Sequence, residues 1–308
     1  MSVPSAVVFA YHNVGVRCLS VLLAQGVDVK LVVTHEDAPG ENIWFGSVKS
    51  LAQTHGIPVV TPGNPHDEST LALLTAAAPD FLFSFYYRNM LKPAILNIPK
   101  RGCYNMHGSL LPKYRGRVPI NWAVIHGETE SGATLHQMVE KPDAGAIVDQ
   151  MAVPILPDDT AEEVFGKVLV AAEIVLHRCL PALVAGTAKL TPMDLSKGAY
   201  FGGRKAEDGR IDWSQSAAAI HNLVRAVTHP YPGAFCDLPQ GRLVIWRTLA
   251  AHATSAGSPA LFVEHGQLLV RCGDGRCLRL LSAELDGVAL DAAQFEVRFG
   301  SGMLPLSG

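Results

Sequence analysis

Residues 105–116, NMHGSLLPKYRG, follow directly on a β-rich run, GCYNMH at 102–107, so the polar pair Asn105 and His107 closes a strand. Alternate residues of a strand share a face. The amide and imidazole tips therefore point to one side and Met106 to the other, into the core. Beyond His107 the chain does not continue as a strand but enters a loop carrying Pro112, Arg115 and the closing Gly116. Open α/β sheets bind ligands at the carboxyl ends of their strands, so this stretch reads as the working end of a parallel sheet.

The sequence on its N-terminal side supplies the rest of that sheet. AVVFAY (6–11), VKLVVTH (29–35), IPVV (57–60) and FLFSFYY (81–87) are short apolar strands. Helical patterns alternate with them at 15–26, 45–56 and 69–78. This is the βαβ rhythm of a doubly wound, mainly parallel α/β sheet. On the C-terminal side, VPINWAVIHG predicts a helix with Pro119 in its first turn. ATLHQMV and AIVDQMAVPI predict two strands joined by the loop 140–145, and a long helix runs from Asp159 or Thr160 to Ala185. Residues 191–203 mix Pro, Ser and Gly irregularly and predict a linker. Beyond it, one helix (216–227) is followed by RLVIW, ALFVE, QLLVRC and CLRLLSAEL between Gly-containing turns, the spacing of a small β-barrel or sandwich.

Composition bounds the function. A chain of 308 residues is comfortable for two cores, and 48% apolar against 17% charged residues carries no signature of disorder. The formal charge of −3 lacks the basic excess that phosphate-backbone binding demands, which argues against a nucleic-acid partner. Cys18, Cys103, Cys179, Cys236, Cys272 and Cys277 are scattered, with no CxxC pair and no zinc spacing, and read as reduced thiols. The N-terminus shows no basic leader, and no run of roughly 20 apolar residues suggests a membrane span. The expected location is the cytoplasm. AYHNVG, the turn after the first strand, lacks G-x-G-x-x-G, which argues against a dinucleotide oxidoreductase.

An amide N–H and an imidazolium converging on one point form an oxyanion hole, which suits acyl transfer. A nearby carboxylate would favour the charged ring. The candidate is Asp143 in EKPDAGAI, followed by small residues that let the loop approach closely.

With NMHGSLLPKYRGRVPINWAVIHGE and TLHQMVEKPDAGAI on the page, together with VVFAYHNVG, THEDAPGE, FSFYYRNML and VRAVTHPYPGAF, the chain resembles the folate-dependent formyltransferases from end to end. Within them it is most similar to the N-terminal formyltransferase domain of the bifunctional polymyxin-resistance enzymes, which formylate UDP-4-amino-4-deoxy-L-arabinose. The resemblance implies a Rossmann-like catalytic domain at 1–190, a linker at 191–203 and an OB-like β-barrel at 204–308. It implies 10-formyltetrahydrofolate as co-substrate, no metal, and Asn105, His107 and Asp143 as the catalytic set, with Asp143 keeping His107 charged. Folate would lie along Asn89, Met90 and Leu91, Arg117, and Val139, Glu140, Lys141, Pro142 and Asp143. Asn89 stands where the polymyxin-resistance enzymes are expected to have His.

Tyr11 and His12 are expected on the sugar side, and Arg204 beside the pyrophosphate. Arg115 and Arg117 are expected to face an anionic ligand, Ser109, Leu110 and Leu111 to shape the pocket, and His136 to be a satisfied structural histidine. A separate UDP-glucuronate decarboxylase or dehydrogenase chain is a possible partner, because the sequence given supplies only the formylation step. Three other readings are weighed. Another UDP- or dTDP-amino sugar is the first. Methionyl-tRNA formyltransferase is disfavoured by the short acidic HEDAPGENIWFG where a longer basic loop would sit. A binding module without turnover would predict a broken Asn/His/Asp set.

Overall fold

The computed structural model describes residues 3–40, 42–254 and 256–306. Two compact units emerge: Met1–Pro119, Ser131–Val153 and Phe165–Gly202 form the first, and Ile120–Glu130, Pro154–Val164 and Gly203–Gly308 the second. The second unit thus recruits two short segments from within the expected 1–190 span.

In the first unit, β1 (Ser5–Ala10), α1 (His12–Ala24), β2 (Asp28–Val33), α2 (Val48–Thr54), β3 (Val59–Val60), α3 (Glu68–Ala77), β4 (Phe81–Phe85), α4 (Pro93–Leu96) and β5 (Cys103–His107) follow in order. β6 (Arg115–Gly116), β7 (Glu130–Gln137), β8 (Ile147–Pro154) and α6 (Ala161–Ala185) come next, then β9 (Tyr200–Phe201), while α5 (Pro119–Ile125), between β6 and β7, falls almost wholly in the second unit. The sheet order is β3-β2-β1-β4-β5-β7-β8. The first five strands are parallel, and β7 runs antiparallel to β5. The strand order reverses between β1 and β4, the crevice where doubly wound sheets take ligands. The expected Rossmann-like, mainly parallel architecture is what forms.

Burial explains why these runs are strands. Val7, Val8, Phe9 and Ala10 are all fully buried, as are Phe83 and Phe85, because helices cover both faces of a parallel sheet. Val7, Phe9, Leu31, Val33, Leu82 and Cys103 gather with Leu74, Leu91 and Ile95 into one core cluster.

Among the described residues one helix, α6, is long and apolar enough to cross a membrane by length and composition. Glu162, Glu163, Lys167, Glu173 and Arg178 break its apolar run into pieces. Val168, Ala171, Ala172, Val175, Leu176 and Leu180 are buried on one side, and Glu173 and Arg178 pair with Arg17 and Asp149, so in this structure it is an amphipathic core helix.

In the second unit, α7 (Ala217–Val227), β10 (Ala234–Leu238), β11 (Gly241–Thr254), β12 (Ala260–Glu264), β13 (Gln267–Arg271), β14 (Arg276–Leu285), β15 (Val288–Ala289), α8 (Ala292–Phe299) and β16 (Leu304–Pro305) complete the chain. Its antiparallel sheet, β10-β11-β14-β13-β12-β16, curls into an open half-barrel. Register shifts along β11 supply the bending. Ser216 caps α7 by accepting from the Ala219 N–H, and α7 packs on β10, β11 and β14.

Candidate active site at the β5–β7 corner

Antiparallel pairing of β5 with β7 sets Asn105 opposite His136 and His107 opposite Thr134. The loop after β7 then returns Asp143 to the same corner. Gly145 makes that return possible, because a Cβ there would lie 2.0 Å from the Gln137 carbonyl oxygen. Asp143 itself sits at φ +48, a left-handed conformation that costs a non-glycine residue roughly 1 kcal/mol and marks functional loops.

The polar groups form a connected chain. The Asn105 Nδ2 lies 3.1 Å from His136 Nε2. That nitrogen is 3.5 Å from Asp143 Oδ1, and the same oxygen is 3.7 Å from His107 Nδ1. Asp143 Oδ2 accepts the Gly116 N–H at 2.8 Å, and His107 Nε2 donates to the Tyr114 carbonyl at 2.8 Å. His107 and His136 are 6% and 2% exposed, so these contacts are shielded from water.

The electrostatics differ from the sequence expectation at one point. Burial holds His107 below its ordinary pKa of 6.5 and outweighs the opposing pull of Asp143 and the Tyr114 carbonyl. The ring is therefore neutral at rest, rather than held charged by its carboxylate. For Asp143 burial pushes upward, but His107 and the Gly116 N–H pull downward, and the group lies well below the usual carboxylate range. The corner thus offers a neutral base beside a fixed negative charge.

Thr134, which is completely buried, supports the chain just beyond His107. Its hydroxyl donates to the Ser109 carbonyl at 2.6 Å and accepts the Leu111 N–H at 3.2 Å, while Gln150 Nε2 bonds both the Leu111 carbonyl and Thr134 Oγ1. Ser109 instead turns its own hydroxyl to the Lys113 carbonyl at 2.6 Å, and Leu111 is buried.

The other expected residues distribute unevenly. Arg117 is exposed and its N–H donates to the Phe201 carbonyl, tying β6 to β9. Arg115 does not share its exposure: it is 8% exposed and bonds the Gly198 carbonyl, so the two arginines do not form one surface patch. Asn89 and Met90 are exposed, but the Leu91 side chain is committed to the apolar core. Val139, Glu140 and Lys141 are exposed; Pro142 is half-buried beside Asp143.

Tyr11 donates to Asp37 at 2.6 Å and carries the Arg88 guanidinium 4.4 Å above its ring. The His12 ring lies 4.1 Å from Phe45, 4.6 Å from Trp44 and 4.9 Å from Phe165. With Tyr86 they line the β1–β4 crevice with aromatic rings. Arg204 belongs to the second unit, where it stacks 4.9 Å over Trp122 and donates to the Asp208 carbonyl.

His136, expected as a satisfied structural histidine, has a partner at each ring nitrogen, the Gln137 carbonyl and the Asn105 amide. Its signal is the cross-strand register, which only the fold supplies.

The fold has counterparts among solved structures. An N-formyltransferase from Helicobacter canadensis, solved with folinic acid and dTDP-3-aminofucose, superposes with a TM-score of 0.70 at 20% identity, covering 91% of this chain and 99% of that one. WlaRD, a sugar 3N-formyl transferase solved with dTDP and 5-N-formyl-THF, gives 0.70 at 21% identity over 91% and 98%. HypX from Aquifex aeolicus gives 0.63 at 17% identity over all of this chain and 49% of its own. At these identities the likeness is one of fold. The family profile described as formyl transferase matches residues 18–180, and the profile of the formyl transferase C-terminal domain matches 204–298. The chain therefore belongs to the formyl transferase family, an enzyme family that moves a formyl group.

Proposed function

We propose that this protein transfers the formyl group of 10-formyltetrahydrofolate to the amine of a nucleotide-linked amino sugar. The observation that carries the reading is the β5–β7 corner, where the Asn105 amide, His136, Asp143 and the buried His107 follow one another through contacts of 3.1, 3.5 and 3.7 Å. The substrate amine attacks the formyl carbon, forming the new C–N bond. Asn105 donates to the developing oxyanion. His107 takes the proton released by the amine and returns it to the folate nitrogen as the old C–N bond breaks. With Nε2–H held by the Tyr114 carbonyl, the bare nitrogen is Nδ1, and Asp143 beside it stabilises the ring while it carries that proton. Atoms balance: formamide and tetrahydrofolate leave.

Folate recognition falls to Asn89, Met90, the Leu91 backbone, Arg117 and the 139–143 loop. Structural neighbours crystallised with folinic acid or 5-N-formyl-THF support that co-substrate. Tyr11 and His12 serve the sugar side. UDP-4-amino-4-deoxy-L-arabinose is the first sugar to test, on the strength of the sequence motifs. A dTDP-linked amino sugar is the second reading, favoured by the dTDP ligands of those neighbours. The reaction is assigned to the cytoplasm, in keeping with six free, buried cysteines, and a separate decarboxylase or dehydrogenase chain would prepare the amine's precursor.

Incubation with 10-formyltetrahydrofolate and a panel of UDP- and dTDP-amino sugars, read by mass spectrometry, tests this. One added formyl group on a single member supports the reading and names the sugar. No added formyl group on any member refutes it.

A further inference from the structure

The geometry points to His136 as the positioning residue for the Asn105 donor: a neutral imidazole whose Nε2 lone pair accepts the Asn105 amide and fixes which end of that amide faces the reacting carbon. The inference rests on the formyl-transfer reading above and adds a residue to it.

Hydrogen-bond logic sets the tautomer. His136 Nδ1 lies 2.9 Å from the Gln137 carbonyl oxygen, which can only accept, so Nδ1 carries the proton. In the neutral ring Nε2 is then an acceptor, and the group 3.1 Å from it is the Asn105 NH2, which can only donate. The two bonds are mutually consistent and select one tautomer of the histidine and one orientation of the asparagine. One Asn105 N–H is held by His136; the other remains for the oxyanion. At 2% exposure His136 has little water to offer the amide a substitute acceptor.

Nε2 also lies 3.5 Å from Asp143 Oδ1, which is itself 3.7 Å from His107 Nδ1. The groups facing His136 are Asn105 and His107 from β5, whose ring centroid is 6.4 Å distant, and Asp143 from the loop after β7.

The test is a double-mutant cycle on the whole chain, with turnover and thermal stability measured on every variant. His136→Leu removes the acceptor and is expected to lower kcat about tenfold to a hundredfold, bounded by the loss of a whole oxyanion donor, with both KM values within about twofold. His136→Gln carries a carbonyl oxygen at about the reach of Nε2 and is expected to recover most of that loss. In an Asn105→Ala background His136→Leu should cost less than about twofold, since the positioned group is gone.

Equal losses in both backgrounds, or Gln no better than Leu, would overturn the assignment. Nitrogen NMR of the 15N-histidine-labelled chain adds an arm that needs no turnover. A protonated Nδ1 and bare Nε2 on His136, with the Nε2 signal moving in Asn105→Ala, are expected; a protonated Nε2 at neutral pH overturns the inference. A wild type that formylates no amine would sink the formyl-transfer reading, while the NMR arm still decides the geometry.

Discussion

The β1–β4 crevice and the β5–β7 corner occupy the same carboxyl-end edge of one sheet, yet they are built from opposite materials. The crevice is built around Tyr11, His12, Trp44, Phe45, Tyr86 and Phe165, rings packed against one another, with Tyr11 donating to Asp37. The corner depends on a few polar contacts between 2.8 and 3.7 Å. Apolar area is forgiving in geometry and binds; directed polar groups are unforgiving and catalyse. The backbone does not follow the division, with His12 and Tyr86 at φ +64 and +57 in the crevice and Tyr114 and Asp143 at φ +55 and +48 in the corner.

The comparison breaks or sharpens under substitution. Asn105→Ala and His107→Ala are each expected to lower kcat roughly a hundredfold or more while leaving KM values near wild type, read by steady-state kinetics. Asp143→Asn should cost about tenfold to a hundredfold in kcat, because the cation that forms on His107 loses its counter-charge, and it should leave the fold intact by circular dichroism. Gly145→Ala drives a methyl against the Gln137 carbonyl and is expected to cost about 1–3 kcal/mol of stability, measured by denaturant melts. Trp44→Leu, in the crevice, should raise the KM for the amine substrate about threefold with kcat within about twofold. A crevice substitution that lowered kcat as far as a corner one would erase the division.

The pH dependence sharpens the comparison further. His107 has a folded-state pKa lowered by burial, so its active neutral form persists as pH falls through about 6.5, the unperturbed imidazole value. The acid limb of the kcat/KM profile should have its midpoint below that value, and a midpoint above it would contradict the neutral-base assignment. The same shift makes protonation of the folded chain less favourable than of the unfolded one, so His107 contributes a loss of stability as pH falls from about 6.5 toward its folded pKa. Asp143 acts at lower pH. Its depressed pKa adds stability above about 4 that fades as the solution is acidified below it.

Much of this was readable in the sequence wherever one residue's environment is set by its neighbours in the chain. β1, β4 and β5 announce themselves as apolar runs, and Asn105 and His107 share a face by strand periodicity alone. Asp143 was findable because Ala144 and Gly145 advertise a close approach. What was not readable depends on distant pairing. His136 lies 31 residues from Asn105 and acquires its meaning from the β5–β7 register. β10 carries Asp237 in a five-residue stretch and becomes a strand by pairing with β11. α4, at four residues, is too short to show a period. The burial of the His107 ring, which opposes its protonation, is likewise invisible in the sequence, where only the carboxylate shows.

The two-residue ribbon of β6 and β9 has a practical corollary. Gly116 gives its N–H to Asp143 and sits at φ +101 with no room for a Cβ against the Phe201 carbonyl, while Gly198 is pressed equally close to Pro112. Tags, reporter domains or protease sites spliced between residues 198 and 201 would therefore silence the enzyme from a distance, whereas the same insert just past Gly202 would leave this clasp closed.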